Sequence, residues 1–245
     1  MKVFKFKKIA TTLLVLSFML SIFSETTVKA NGIAVENPIS KVLTCAYLTE
    51  EAKQTIVAMS NGADEITLHI PKGDSTGISV LDSGSDEQAY IIISKTISTK
   101  KVDGVNYEDK EETLVALSTL NGSASASGQQ YGVAASNVVN ITWSYSNPSL
   151  SDLKVKFNSM TAKYTYLPTQ SAEVIKMEYS VRLEEAMGAV YFKSFSESNP
   201  SAGVSYSRTL NSGEYKFGGE KIIAMIKIYY KNGSYSEYEG SPNHP

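Results

Sequence analysis

The chain reads as an all-β protein: a β-sandwich with one short helix near its N-terminus. Three observations predict this. Apolar and polar residues alternate at period two along many short segments after residue 65. Turn-forming residues separate those segments at short intervals, as in sandwiches and barrels. Only one stretch carries the chemistry of a helix start.

That stretch is Thr49-Glu50-Glu51. Thr49 can cap, two acids lie in the first turn, and Ala52, Ile56, Val57 and Met59 make a partial apolar face. Asn61-Gly62 ends it. Residues 31–41 before it read as an irregular arm, with Asn37-Pro38 favouring a turn.

The period then becomes two. Ile66, Leu68 and Ile70 alternate with Thr67 and His69, and Pro71 to Asp74 closes the strand. A short strand is expected over 77–81 and a polar loop over 82–88. Ala89 to Thr99 is β-branched and starts almost wholly apolar, which suits a central strand buried on both faces. Asp103 to Glu112 reads as an acidic connector and Thr113 to Leu120 as a further strand.

Residues 121–136, rich in Ser, Ala and Gly, read as a linker or a hairpin between an acidic β-rich region (31–120) and a tyrosine-rich β domain (137–245). In the second region Val139 to Tyr145, Leu153 to Phe157 and Ile175 to Leu183 alternate cleanly. Strands are also expected over 189–195, 204–210 and 222–230. Asn232-Gly233 predicts a type I′ two-residue hairpin, setting Tyr230 opposite Tyr235, Tyr229 opposite Ser236 and Lys227 opposite Tyr238.

Leu210-Asn211-Ser212-Gly213-Glu214-Tyr215 resembles the L-x-x-G-x-Y tyrosine corner of immunoglobulin-like and fibronectin-like sandwiches. The resemblance implies an immunoglobulin-like Greek key in the C-terminal half, and no function.

The first thirty residues set the compartment. Lys2, Lys5, Lys7 and Lys8 precede the apolar run Ile9 to Phe23, and Val28-Lys29-Ala30 makes an A-x-A-like site. This is the pattern of a secretory signal peptide cleaved after Ala30. Removing that segment, at +4, from a chain at −2 leaves −6. The acid lies in residues 31–135. Such a surface argues against nucleic acid and against simple adhesion to anionic lipid, so a membrane is expected only during export. Cys45 stands alone, so no intrachain disulfide can form. It reads as a small buried hydrophobe.

Catalytic signals are sparse. The two histidines are His69, expected exposed, and His244. No nucleophile elbow or phosphate-cradling motif accompanies them. A Cys45–His69 dyad can be written on paper. Glu184-Glu185, after a strong strand, is where a carboxylate-dependent hydrolase would be sought. Asp82, Asp86 and Glu87 put oxygens on one loop, which is either an ordinary acidic turn or a weak calcium site, calcium being the one cofactor considered.

Tyrosine is the compositional outlier, with 15 in the chain. The expected hairpin puts Tyr229 and Tyr238 on one face beside Lys227, a group suited to an extracellular glycan or protein surface. Three functions are thus on the table: a secreted, non-enzymatic binding module, an extracellular hydrolase, and a membrane-active protein inserting residues 119–136.

Overall fold

In the computed structural model the described residues are 38–69, 89–120, 130–146, 152–165, 173–185, 188–218 and 220–241. The expected signal peptide, the strand over 77–81, and Asp82, Asp86 and Glu87 lie outside them.

The fold is all-β; the described residues build two antiparallel sheets and two short helices. The helices are α1 (Pro38–Thr44) and α2 (Glu50–Met59). The larger sheet runs β1 (Glu65–His69), β2 (Tyr90–Val102), β3 (Val105–Thr119), β4 (Tyr131–Tyr145), β5 (Lys154–Tyr164) and then β8 (Ser205–Thr209). The short β9 (Glu214–Lys216) also pairs with β5. The smaller sheet runs β11 (Tyr235–Gly240), β10 (Lys221–Tyr230), β6 (Val174–Glu185) and β7 (Gly188–Ser198).

Period two explains why this sequence makes two cores. In β2, Ile92 packs between the sheets, whereas Ile91 and Ile93 pack beneath the helices. β3 repeats the pattern, with Leu114 and Ala116 between the sheets and Val115 and Leu117 under the helices. A strand covered on both faces reads as a continuous apolar run, as expected for the start of the Ala89 to Thr99 strand; the cover stops after Ile93, and Ile97 is 53% exposed. The helix layer is fixed locally by Thr49, whose Oγ1 accepts the Ala52 amide at 3.1 Å. Ala52 and Ile56 then face the core. Contrary to the irregular arm expected, α1 starts at Pro38, and Val42 and Cys45 join the same core. Proline's missing N–H and fixed φ suit a first helical position.

Several boundaries are corrected. The acidic connector at 103–112 is a hairpin turn followed by strand. Asp103 and Gly104 sit at φ 50° and 83°, the paired left-handed conformations of a type I′ turn, and Val102 faces Val105. Of the stretch read as linker or hairpin, Tyr131 to Ser136 belong to β4 and are buried. Gly132, Ala134, Ala135 and Ser136 are small because both faces of the strand are packed there.

The first sheet is a meander of five consecutive strands, β1 to β5, and the strand order does not confirm the immunoglobulin-like key expected of the C-terminal half. Tyr215 sits on β9 opposite Val155 with its ring 5.2 Å from Tyr191, inside a cluster of aromatics. The residues before it run beside β5, where Leu210 N–H donates to the Asn158 carbonyl and Ser212 Oγ accepts the Phe157 amide. Between the sheets, Trp143 meets Phe217 edge-on at 4.9 Å and Phe157 stacks on Tyr191 at 4.5 Å. Such pairs contribute about 0.5–1.5 kcal/mol each beyond the area they bury.

β11 crosses close to the first sheet. A Cβ added at Gly240 would lie 2.6 Å from Ile92 Cδ1 and 2.9 Å from Leu114 Cδ1, and both isoleucine and leucine are held in the core. Gly240→Ala is therefore expected to destabilise the fold by about 1–3 kcal/mol, read as a lower urea midpoint with an unchanged slope.

Candidate functional site

The outward face of the smaller sheet is set by the turn between β10 and β11. The loop has three residues instead of the expected two. In this loop Gly233 adopts a left-handed φ, 86°, and Asn232 does not. Tyr230 N–H donates to the Ser234 carbonyl at 2.9 Å, and Asn232 Oδ1 accepts the Ser234 amide at 3.0 Å. An asparagine that bonds its own backbone two residues on holds a three-residue loop with the glycine at its bulge position.

This extra residue slips the register by one and moves every β11 side chain to the other face. Tyr229 faces Tyr235, Ile228 faces Ser236, Lys227 faces Glu237, and Ile226 faces Tyr238. Tyr238, expected outside with Tyr229, is therefore inside: it is 3% exposed, and burial pushes its hydroxyl up to about 12. Tyr235 takes its place outside, 57% exposed. Tyr229 and Lys227 stand on the outward face as expected, because β10 keeps its own alternation.

The resulting group joins three strands. The Tyr229 and Tyr235 rings lie 6.0 Å apart and 42° out of parallel. Lys227 Nζ sits 3.8 Å from the Tyr235 ring centre and 5.5 Å from that of Tyr229. Lys176, from β6, lies 5.0 Å from Tyr229 on its other side. Tyr229 Oη donates to Glu178 Oε2 at 2.6 Å, and Lys176 Nζ pairs with Glu178 Oε1 at 2.5 Å. Lys227 pairs with Glu237 at 2.8 Å.

The electrostatics follow from these bonds. The hydrogen bond from Lys176 and then that from Tyr229 hold the Glu178 carboxyl below its ordinary value. The Glu178 bond raises Tyr229, and the Glu237 bond raises Lys227. These shifts favour an ionised Glu178, a neutral Tyr229 and a charged Lys227 at neutral pH. An exposed cation–π contact contributes only about 0.5–1 kcal/mol. It orients Tyr235 without covering it. What the face offers is one open aromatic ring, a second tilted toward it, and an ammonium between them.

The other sequence candidates are dispersed. Glu184 Oε1 pairs with Arg182 Nε at 2.6 Å, and Glu239 takes Arg182 Nη2 at 2.7 Å. Two carboxylates on one guanidinium order an arginine and do not make an acid–base pair. Glu185 is exposed at the strand end. His69 is half-buried, not exposed as expected, and stacks on Tyr90 at 4.3 Å, where burial lowers its imidazole. Cys45 is buried with the helix-layer core. The paper dyad thus finds its two members held by different neighbours. Among the described residues no three His, Cys, Asp or Glu gather to hold a metal.

One group was missed. Glu112, 5% exposed, shares the inward parity of Leu114 and Ala116. It borders a cavity of about 10 Å³ walled by Leu114, Val139, Ile222 and Ala224. Its Oε2 accepts Ser94 Oγ–H at 2.5 Å. Burial pushes its carboxyl up to about 7; the Ser94 bond and Lys110 oppose the rise, and Glu65 and Asp64 add to it. Counting residues back from Leu114 in twos would have found it.

A carboxyl raised on folding binds a proton more tightly in the folded state, so stability falls as pH rises from about 4.5 toward 7. Between pH 5 and 8 the Glu112 contribution should fall by about 2 kcal/mol. Glu112→Gln, of the same shape and uncharged, should flatten that slope and be the more stable form at pH 8. Urea unfolding of both forms at the two pH values reads this directly, and parallel slopes would sink the assignment.

The chain matches no protein-family model, no curated protein and no solved structure.

Proposed function

We propose that this is a secreted, non-enzymatic binding module that takes an extracellular glycan on the outward face of its smaller sheet. The observation that carries this reading is Tyr235, more than half exposed yet oriented by Lys227 beside Tyr229. An aromatic ring held in place and left open to water suits the apolar face of a sugar ring, and the neighbouring hydroxyl and ammonium suit its hydroxyls. Little ordering entropy is lost on binding, because the rings are already fixed by cross-strand partners. The basic and then apolar N-terminal pattern supports export.

The state of the carboxylate bonded to Tyr229 favours binding over hydrolysis. Glu178, which accepts the Tyr229 hydroxyl, is held ionised by Lys176 and Tyr229. A glycosidase needs an acid with a raised pKa next to its second carboxylate.

Cosedimentation with insoluble peptidoglycan, chitin and cellulose, together with a glycan array, tests the reading. Binding to at least one of these is expected. Tyr235→Ala should weaken it about tenfold, whereas Tyr235→Phe should keep most of it. A chain that binds none of them, or a Tyr235→Ala form that binds like the parent, would remove the proposal.

A further inference from the structure

The edges of the two sheets are not alike. β1, β8, β9 and β11 are short, the usual way an edge is made harmless. β7 is 11 residues long, carries no proline and, among the described residues, pairs only with β6. Its register against β6 is unbroken from Tyr191 to Ser198, so the free side of that stretch is a regular row of backbone donors and acceptors. From Phe192 to Ser198 five residues are exposed, with Phe195 and Glu197 partly so. Phe192 is 55% exposed, and Val190 beside it 42%.

The side chains carry a self-complementary charge pattern. Lys193 and Glu197 lie on one face of β7, two residues either side of Phe195. Lys193 has no ion-pair partner among the described residues. Glu197 is half used: Arg208 Nη2 at 2.6 Å and Tyr179 Oη at 3.0 Å both go to its Oε1. Its Oε2 has no partner among the described residues.

We infer that β7 pairs antiparallel with β7 of a second copy of this chain, centred on Phe195, to make a two-fold dimer with one continuous eight-stranded sheet. Charge selects this register. Pairing the strands over their full length would centre on Lys193 and set two ammonium groups face to face, which is unfavourable. Centring on Phe195 sets each Lys193 opposite Glu197 of the other copy, and the open Oε2 accepts it. Ser194 then faces Ser196 of the other copy, and Phe192 faces Ser198. A two-fold interface repeats each contact, so two new ion pairs form for one register.

The geometry bears on binding, and this step rests on the glycan reading. An axis perpendicular to the sheet keeps both outward faces on one side. The two β10 strands are then five strand spacings apart, about 24 Å. Two Tyr229–Tyr235 patches on one flat face would engage a repeating polymer together, with a gain in avidity and no new contact.

Sedimentation equilibrium of the purified chain at high micromolar concentration, without glycan, tests the dimer independently of the glycan reading. A mass twice that of the chain is expected. Lys193→Glu puts carboxylates face to face at both symmetry-related positions and should raise the dimer dissociation constant about tenfold or more. Lys100→Glu makes the same charge change away from β7 and should leave the dimer intact. Under mild oxidation, Ser194→Cys mixed with Ser196→Cys should form a mixed disulfide that neither variant forms alone. A monomer throughout overturns the inference. So does a dimer indifferent to Lys193→Glu, and so does a disulfide formed by Ser194→Cys by itself, which would centre the pairing on Ser194 instead.

Discussion

The central strands β2, β3 and β4 must be covered on both faces, and the rest of the molecule depends on how that is done. Ile91, Ile93, Val115 and Leu117 need a lid on one side; Ile92, Leu114, Val139 and Ile141 need one on the other. The helices supply the first and the smaller sheet the second. Each apolar side chain so covered contributes about 1.5–3 kcal/mol relative to leaving it in water. With no disulfide available, this double burial is what replaces covalent stapling.

Two of the buried polar groups, Asn137 and Glu112, bear on how the sheets meet. Asn137 on β4 is wholly buried, and its Nδ2 donates to the Ser180 carbonyl at 3.1 Å and the Met225 carbonyl at 2.9 Å. Those two residues face each other across β6 and β10, so one amide straddles the pair. An apolar residue there would leave both carbonyls without this donor, and a buried polar group stripped of its partner costs about 1–3 kcal/mol. Asn137 therefore favours one placement of the smaller sheet over its neighbours, a placement that packing of interchangeable isoleucines and valines leaves open. Glu112 acts oppositely. It lies at the margin of the same interface and weakens it as it ionises, so the joint between the sheets is weaker at neutral than at mildly acid pH.

Much of this was legible in the residues. The cap at Thr49, the twofold-covered run after Ala89, and the inward parity of Met177, Tyr179, Val181 and Leu183 follow from periods of 3.6 and two. Three things were not read. The Asp103-Gly104 turn carried the strongest hairpin signal in the first half, but acidic flanks disguised a strand that runs past the helix layer, where its carboxylates meet Thr142, Ser98 and Tyr145. The small residues before Ser136 resembled a linker because a strand packed on both faces at close quarters also wants small side chains. The division of the eleven described strands into two sheets depends on long-range pairing, which alternation alone does not encode.

The tyrosine face turned on a smaller matter. Asn-Gly is compatible with a two-residue and a three-residue loop, and the choice rests on whether the asparagine supplies a left-handed φ or an acceptor for the amide two residues on. Here it accepts, from Ser234. One added residue exchanged Tyr238 for Tyr235 across the sheet. It buried a tyrosine whose polar tip must then be satisfied inside, and exposed another whose ring is steadied by Lys227. Residue types common to both registers, tyrosine above all, are what made the slip invisible: a β11 alternating charged and aliphatic residues would have declared its inward face. The same amphipathic body that obscures the reading lets either face tolerate tyrosine, so the outward ring is set by the Asn232 side chain, which accepts both the amide and the hydroxyl of Ser234 in the turn.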